Sequence, residues 1–186
     1  GQVNHNAAEI YEEFFVPALF DKWPRRVITA TKMKAGQQVL DVACGTGVLA
    51  RTATEHVSPG GSVVGIDVNE GMLAVARRLA PAVTWRQGIA EALPFDDDSF
   101  DTVVSQFGLM FFDDKPAAIR EMVRVLRPGG KLAVAVWDTL ENTPGYAQMT
   151  HLLLRLFGEE AANGLRAPYS LGNKMTLNHL LSLIHI

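Results

Sequence analysis

Residues 39–47 read V-L-D-V-A-C-G-T-G. An apolar run carrying a single acid, Asp41, ends in the glycine-spaced turn Gly45-Thr46-Gly47, and residues 48–56 after it have helical character. Strand, glycine turn and helix in succession bring backbone against a small ligand. Glycine removes the Cβ that would block that approach and permits positive φ. The free N–H groups in the first turn of the helix then favour a carboxylate or a phosphate. Gly45, Gly47 and Ala50 also fit the dinucleotide spacing G-x-G-x-x-G/A. Asp41 separates the two readings. A carboxylate four residues before the first glycine can hold the loop and face a cationic ligand, but it is poorly placed beside a pyrophosphate.

The 186 residues form one domain with length enough for a substantial core. Hydrophobic residues at 48% and charged residues at 20% are ordinary for a globular chain. A formal charge of −3 gives no electrostatic case for nucleic acid or for an anionic membrane as partner. Cys44 is the one cysteine, which excludes an internal disulfide and a cysteine-cluster metal site. His5, His56, His151, His179 and His185 share no ligand spacing, so no metal is expected. There is no apolar run of membrane-span length and no signal-peptide pattern, and a cytoplasmic protein is expected. Gly1 in place of a Met suggests a trimmed or partial start.

In chain order, residues 6–30 predict one or two helices interrupted near Pro17, with Tyr11, Phe14, Phe15, Leu19, Phe20 and Trp23 apolar. This segment either packs on the core or forms a lid with Tyr11 or Phe20 toward the ligand. Strands are expected at 37–42, 62–67, 83–87, 100–105 and 131–137. Helices are expected at 48–56, at 70–80 capped by Asn69, at 115–126 capped by Asp114, at 143–157 and at 171–180. Asp96, Asp97 and Asp98 read as a solvated acidic run. Strands alternating with helices at this spacing predict an α/β fold with a doubly wound, mostly parallel sheet.

Five motifs in register now carry a resemblance: V-L-D-V-A-C-G-T-G at 39–47, V-V-G-I-D-V-N at 63–69, A-E-A-L-P-F at 90–95, F-D-T-V-V at 100–104 and L-R-P-G-G at 126–130. Across roughly residues 36–138 the chain resembles the class I S-adenosylmethionine-dependent methyltransferases, and within them the ubiquinone and menaquinone C-methyltransferase group. The resemblance implies a Rossmann-like methyltransferase fold, S-adenosyl-L-methionine as cofactor and a small-molecule methyl acceptor at a C, N or O nucleophile. It implies a cofactor site made of Asp41, Ala43, Gly45, Thr46, Gly47, Asp67, Val68, Met72, Gly88, Ile89, Ala90 and Gln106. Asp67 would accept the ribose hydroxyls, Val68 and Met72 would flank adenine, and Gly88 and Ala90 would meet its edge. The family often has an acid at position 89 to accept from the adenine amino group. Here it is Ile89, which leaves that role to Glu91 or to a backbone carbonyl. Gln106 contacts the cofactor or the acceptor, or is structural. Tyr11, Phe20 and Phe107 are the acceptor-side candidates, and no general base is named by the sequence. A nicotinamide oxidoreductase is the alternative; against it stand Asp41 and the lack of Tyr-x-x-x-Lys, since Thr150 lies four after Tyr146. An inactive cofactor-binding fragment is a third possibility.

The resemblance further divides the chain into an N-terminal helical lid at 1–35, a cofactor-binding core at 36–138 and substrate-side helices at 139–180. The family's sheet has two more strands after the fifth, so the chain is expected to be C-terminally truncated, leaving the fifth strand an exposed edge open to self-association. Residues 181–186, L-S-L-I-H-I, can be encoded by CTG TCT CTT ATA CAC ATC, a string resembling a transposon sequencing adapter, and are expected to be a non-native tail.

Overall fold

Val39 points to one face of the first strand and Leu40 and Val42 to the other, and all three are buried. A strand covered on both sides is the mark of a parallel sheet clothed by helices. The computed structural model describes residues 5–182, and the expectations for Gly1 and for residues 183–186 lie outside them. Strands β1 (Gln38–Val42), β2 (Ser62–Asp67), β3 (Thr84–Gln87), β4 (Phe100–Gln106) and β5 (Leu126–Ala135) form one sheet in the order β3-β2-β1-β4-β5. Every pairing is parallel. The helices are α1 (His5–Ile10), α2 (Pro24–Thr31), α3 (Val48–Val57), α4 (Glu70–Leu79), α5 (Lys115–Arg124), α6 (Pro144–Phe157), α7 (Glu159–Arg166) and α8 (Lys174–Ser182).

Two cores lie on the two faces of the sheet. Val39, Val63 and Val104 pack with Leu49, Ala53 and Val57 of α3 and with Val27 and Ile28 of α2. Leu40, Val42 and Val103 pack with Ala118 and Met122 of α5. A third cluster joins Leu132, Val134 and Trp137 to Leu171 and Leu180, so α8 and the loop before it lie against β5. The sequence-predicted caps hold. Asn69 Oδ1 accepts from the Gly71 and Met72 N–H groups at 2.9 and 3.3 Å, and Asp114 Oδ1 accepts from Ala117 N–H at 2.9 Å.

Four local expectations fail, the first two for identifiable reasons. Pro17 does not break the N-terminal segment: α1 runs on into a π-helix, Tyr11–Phe20, that contains it, and the break falls at 21–23. The wider i→i+5 winding, seen where Asp21 N–H donates to Val16 O at 2.9 Å, moves away the carbonyl that a proline ring would strike in an α-helix. Helix α5 ends at Arg124 rather than at residue 126, because β4 claims the chain just beyond it: Phe100 pairs with Leu126 and Thr102 with Lys131, so Pro128-Gly129-Gly130 bulges out of a strand instead of preceding one. That strand closes at Ala135, two residues early. Helix α7 has no counterpart in the sequence reading; Gly158 at φ 85° separates it from α6.

One aromatic side chain links the sheet to the glycine turn. The Trp85 ring lies where a Cβ on Gly47 or on Gly65 would overlap it, and its Nε1–H donates to Ala80 O at 2.9 Å. Gly65→Ala should therefore displace the indole, lowering stability by roughly 1–3 kcal/mol in urea denaturation and shifting the tryptophan emission, as overpacking does. An unchanged midpoint and spectrum would show that the ring is free to move.

Candidate functional site

The strand order reverses between β1 and β4, where crossovers run to opposite sides of the sheet, and the crevice beyond the carboxyl ends of two such strands is the natural ligand site. Both strands end in a residue forced to positive φ without being glycine: Ala43 at 58° and Phe107 at 59°. Such strain persists only where the surroundings impose it, and it concentrates at functional sites. Gly45 turns there as well, at φ 56°, and a Cβ on it would meet nothing within 4 Å, so its backbone is open to the crevice.

Two adjoining cavities fill the crevice. The larger, about 600 Å³, is bounded by Asp41, Gly45, Thr46, Met72 and Gln106 and by Tyr11, Phe20 and Phe107. The smaller, about 140 Å³, is bounded by Gly88, Ile89, Ala90, Glu91, Phe111 and Asp113. Ala43, Asp67 and Val68 border both. The structure thus brings together every sequence-predicted site residue except Gly47, which lines neither cavity and whose missing Cβ serves Trp85 instead. Met72 sits apart from the Gly88–Ala90 edge, on the larger cavity only. Among the described residues none after Asp113 borders either space, so the described helices following β5 contribute nothing to them.

Asp67 holds the site together. Its Oδ2 accepts from Gly45 N–H and its Oδ1 from Asn69 N–H, each at 2.8 Å, so the end of β2 pins the turn that follows β1. Burial pushes its pKa up while the backbone N–H groups of Asn69, Gly45 and Val68 pull it down. A carboxylate has about four acceptor sites, so these bonds leave it capacity to accept from a ligand.

Asp41 is 1% exposed, and neither of its oxygens has a hydrogen-bond partner among the described residues. Burial pushes its pKa up to about 8; the nearby Ala50 N–H at the start of α3 opposes the rise and the Asp67 charge adds to it. Thr46 Oγ1, Ser105 Oγ and Gln106 Oε1 are likewise buried without partners. Unpaired acceptors and a helix N-terminus at one end of a cavity together suit a ligand carrying both a cation with donors and an anion.

The N-terminal segment borders the larger cavity through Tyr11 and Phe20. Tyr11 stacks on Phe20 (centroids 5.3 Å apart), Phe20 meets Phe107 at 5.8 Å, and Phe107 stacks on Trp137 at 4.0 Å. Burial raises the Tyr11 pKa, with the Asp67 and Glu12 charges adding, so its hydroxyl stays protonated. Arg51 of α3 donates to Glu12 at 2.7 Å and to the Thr46 carbonyl at 2.5 Å, and Arg78 of α4 pairs with Glu9 at 2.6 Å. These two ion pairs were missed in the sequence because their partners lie 39 and 69 residues apart. Phe111 and Asp113 were missed as well, although the string F-F-D-D before a Lys-Pro helix start marks a polar turn at the sheet's carboxyl edge.

Among the described residues no group of three or more His, Cys, Asp or Glu side chains could hold a metal ion. Asp97 of the acidic run pairs with Arg124 at 2.7 Å. No helix among the described residues is long and apolar enough to cross a membrane.

The model of the ubiE/COQ5 methyltransferase family matches residues 12–166. The chain is 46% identical over 126 residues to the ubiquinone/menaquinone biosynthesis C-methyltransferase UbiE of Hahella chejuensis, covering 64% of this chain and 51% of that one. It is 40% identical over 134 residues to the demethylmenaquinone methyltransferase of Renibacterium salmoninarum, covering 72% and 55%. The chain thus spans about half the length of these curated relatives. Its fold is similar to the crystal structure of a putative S-adenosyl-L-methionine-dependent methyltransferase from Methanococcus maripaludis, with TM-score 0.70 and 21% identity over 98% of this chain and 85% of that one.

The Asp41 carboxyl makes stability depend on pH in a set direction. Because burial raises its folded pKa to about 8, the folded state keeps a proton that the unfolded chain releases near pH 4. The stabilisation is complete below about pH 4, declines as pH rises toward about 8 and is gone above it. The difference in unfolding free energy between wild type and Asp41→Asn should fall across that window by up to about 1.4 kcal/mol per pH unit. Urea denaturation at a series of pH values measures it, and a flat difference would mean that Asp41 ionises as an exposed acid does.

Proposed function

Because the chain belongs to the ubiE/COQ5 methyltransferase family, we propose that it transfers the methyl group of S-adenosylmethionine to a small-molecule acceptor. One observation carries the reading: Asp67 lines both cavities, fixed by Gly45 and Asn69, and a carboxylate so held has acceptor capacity to spare. A ribose at that junction places adenine in the smaller cavity and the amino-acid arm in the larger. The residues fit such a ligand. Gly45 opens its backbone to the arm, the N-terminus of α3 takes the carboxylate, and the unpaired Asp41 and Gln106 oxygens accept from the ammonium. Val68 and Ile89 wall the base.

When bound, S-adenosylmethionine supplies an electrophilic methyl on a sulfonium. The protein's part is alignment and exclusion of water, because an in-line displacement gains most from holding the acceptor behind the methyl. Tyr11, Phe20 and Phe107 face the larger cavity with three aromatic rings, flat apolar walls that orient a planar acceptor. Tyr11, kept protonated by burial, can donate a hydrogen bond to an acceptor oxygen but does not serve as a base near neutral pH. We read the acceptor as a carbon of a quinone precursor, after the ubiquinone and menaquinone in the relatives' names, and the aromatic wall supports it. In the same reading the segment 5–31 is a lid. A cytoplasmic location also belongs to it, with Cys44 buried as a small apolar residue. So does self-association along β5, which pairs only with β4 among the described residues.

Calorimetry tests the reading: S-adenosylmethionine should bind and NAD should not. Asp67→Ala should weaken the cofactor by on the order of 2 kcal/mol through lost charge-assisted hydrogen bonds, and should also loosen the Gly45 turn. Undiminished affinity in a folded Asp67→Ala protein would remove the residue from the ribose site.

A further inference from the structure

The smaller cavity keeps three apolar side chains exposed around it: Val68 at 61%, Ile89 at 49% and Phe111 at 61%. Walls of this kind suit a planar ring, and discrimination between rings then falls to a polar group at the ring's edge. The residue expected to supply it is absent, since position 89 is Ile89. Three carboxylates border the cavity: Asp67, Glu91 and Asp113. Asp67 is tied to the Gly45 and Asn69 backbone at the far side, where the two cavities join. Glu91 turns its Oε1 to the backbone N–H groups of Asp113 and Asp114, at 3.0 and 3.4 Å, so it fastens this turn. Asp114 caps α5. Asp113 remains: its N–H is engaged by Glu91 and its carboxylate is uncommitted among the described residues.

We propose that Asp113 selects the base of the bound nucleoside, its carboxylate accepting from the exocyclic amino group of adenine. The proposal rests on the cofactor reading above and names the residue that takes over the acceptor role missing at position 89. Glu91 acts behind it as a positioning residue, setting the turn that carries Asp113. A carboxylate only accepts hydrogen bonds, so it favours adenine, whose edge donates, over hypoxanthine, whose carbonyl at the same place also accepts.

The test is calorimetry on the full 186-residue chain with two neutral thioethers, S-adenosylhomocysteine and S-inosylhomocysteine. Wild type should prefer the adenine compound by about tenfold or more. Asp113→Asn, whose amide both donates and accepts, should cut that preference by about threefold or more while the folded signal in circular dichroism is kept. Adding Ile89→Asp to that variant should restore it. A preference unchanged in Asp113→Asn, or abolished by Glu91→Gln while Asp113→Asn retains it, overturns the proposal and leaves the cofactor reading standing. Failure of folded wild type to bind either thioether overturns the cofactor reading and this inference with it.

Discussion

The Asp67 carboxylate holding Gly45 N–H is the contact on which the site depends. The turn after β1 contains two glycines and a non-glycine residue at positive φ, a backbone with little preference for the conformation it adopts. A charge-assisted hydrogen bond from the end of the neighbouring strand fixes it. The same carboxylate receives the first N–H ahead of α4, so two crossovers are referenced to one side chain. Parallel pairing of β1 with β2, residue by residue from Gln38 to Val42, delivers Asp67 to that spot.

A second constraint is steric. Trp85 from the outer strand β3 lies over Gly65 and reaches Gly47, so the glycine turn rests on an indole that is itself hydrogen-bonded to the end of α4. Gly47 is a glycine for the sake of this packing and its φ of 85°, not for a ligand. One short motif thus meets two demands, an open backbone at Gly45 and a filled interior at Gly47.

The sheet was legible in the sequence because parallel strands buried on both faces are written as apolar β-branched runs, and residues 39–42 and 62–67 are plain cases. Caps such as Asn69 and Asp114 were legible because they act within three residues of themselves. The predicted residues that line the two cavities followed from motifs in register. What the sequence hid has a common cause, dependence on partners far along the chain. The end of α5 is set by β4, the tolerance of Pro17 by a π winding, and the pairs Glu12–Arg51 and Glu9–Arg78 by the way the N-terminal segment crosses α3 and α4. The uncommitted state of Asp113 became visible only once Glu91 and Asp114 were seen to be occupied.

The fastening of the N-terminal helices has a kinetic side. Arg51 grips Glu12 with one nitrogen and the Thr46 carbonyl with the other, so the N-terminal segment bordering the larger cavity and the turn after β1 are joined through a single guanidinium. In the lid reading proposed above, a molecule passing between Tyr11 and Phe107 parts that join on entry and again on leaving. On that reading traffic is governed by an ion pair that lines neither cavity. How long a ligand stays and how well it fits become separate properties, the first tunable by ionic strength while the second is left to the cavity walls.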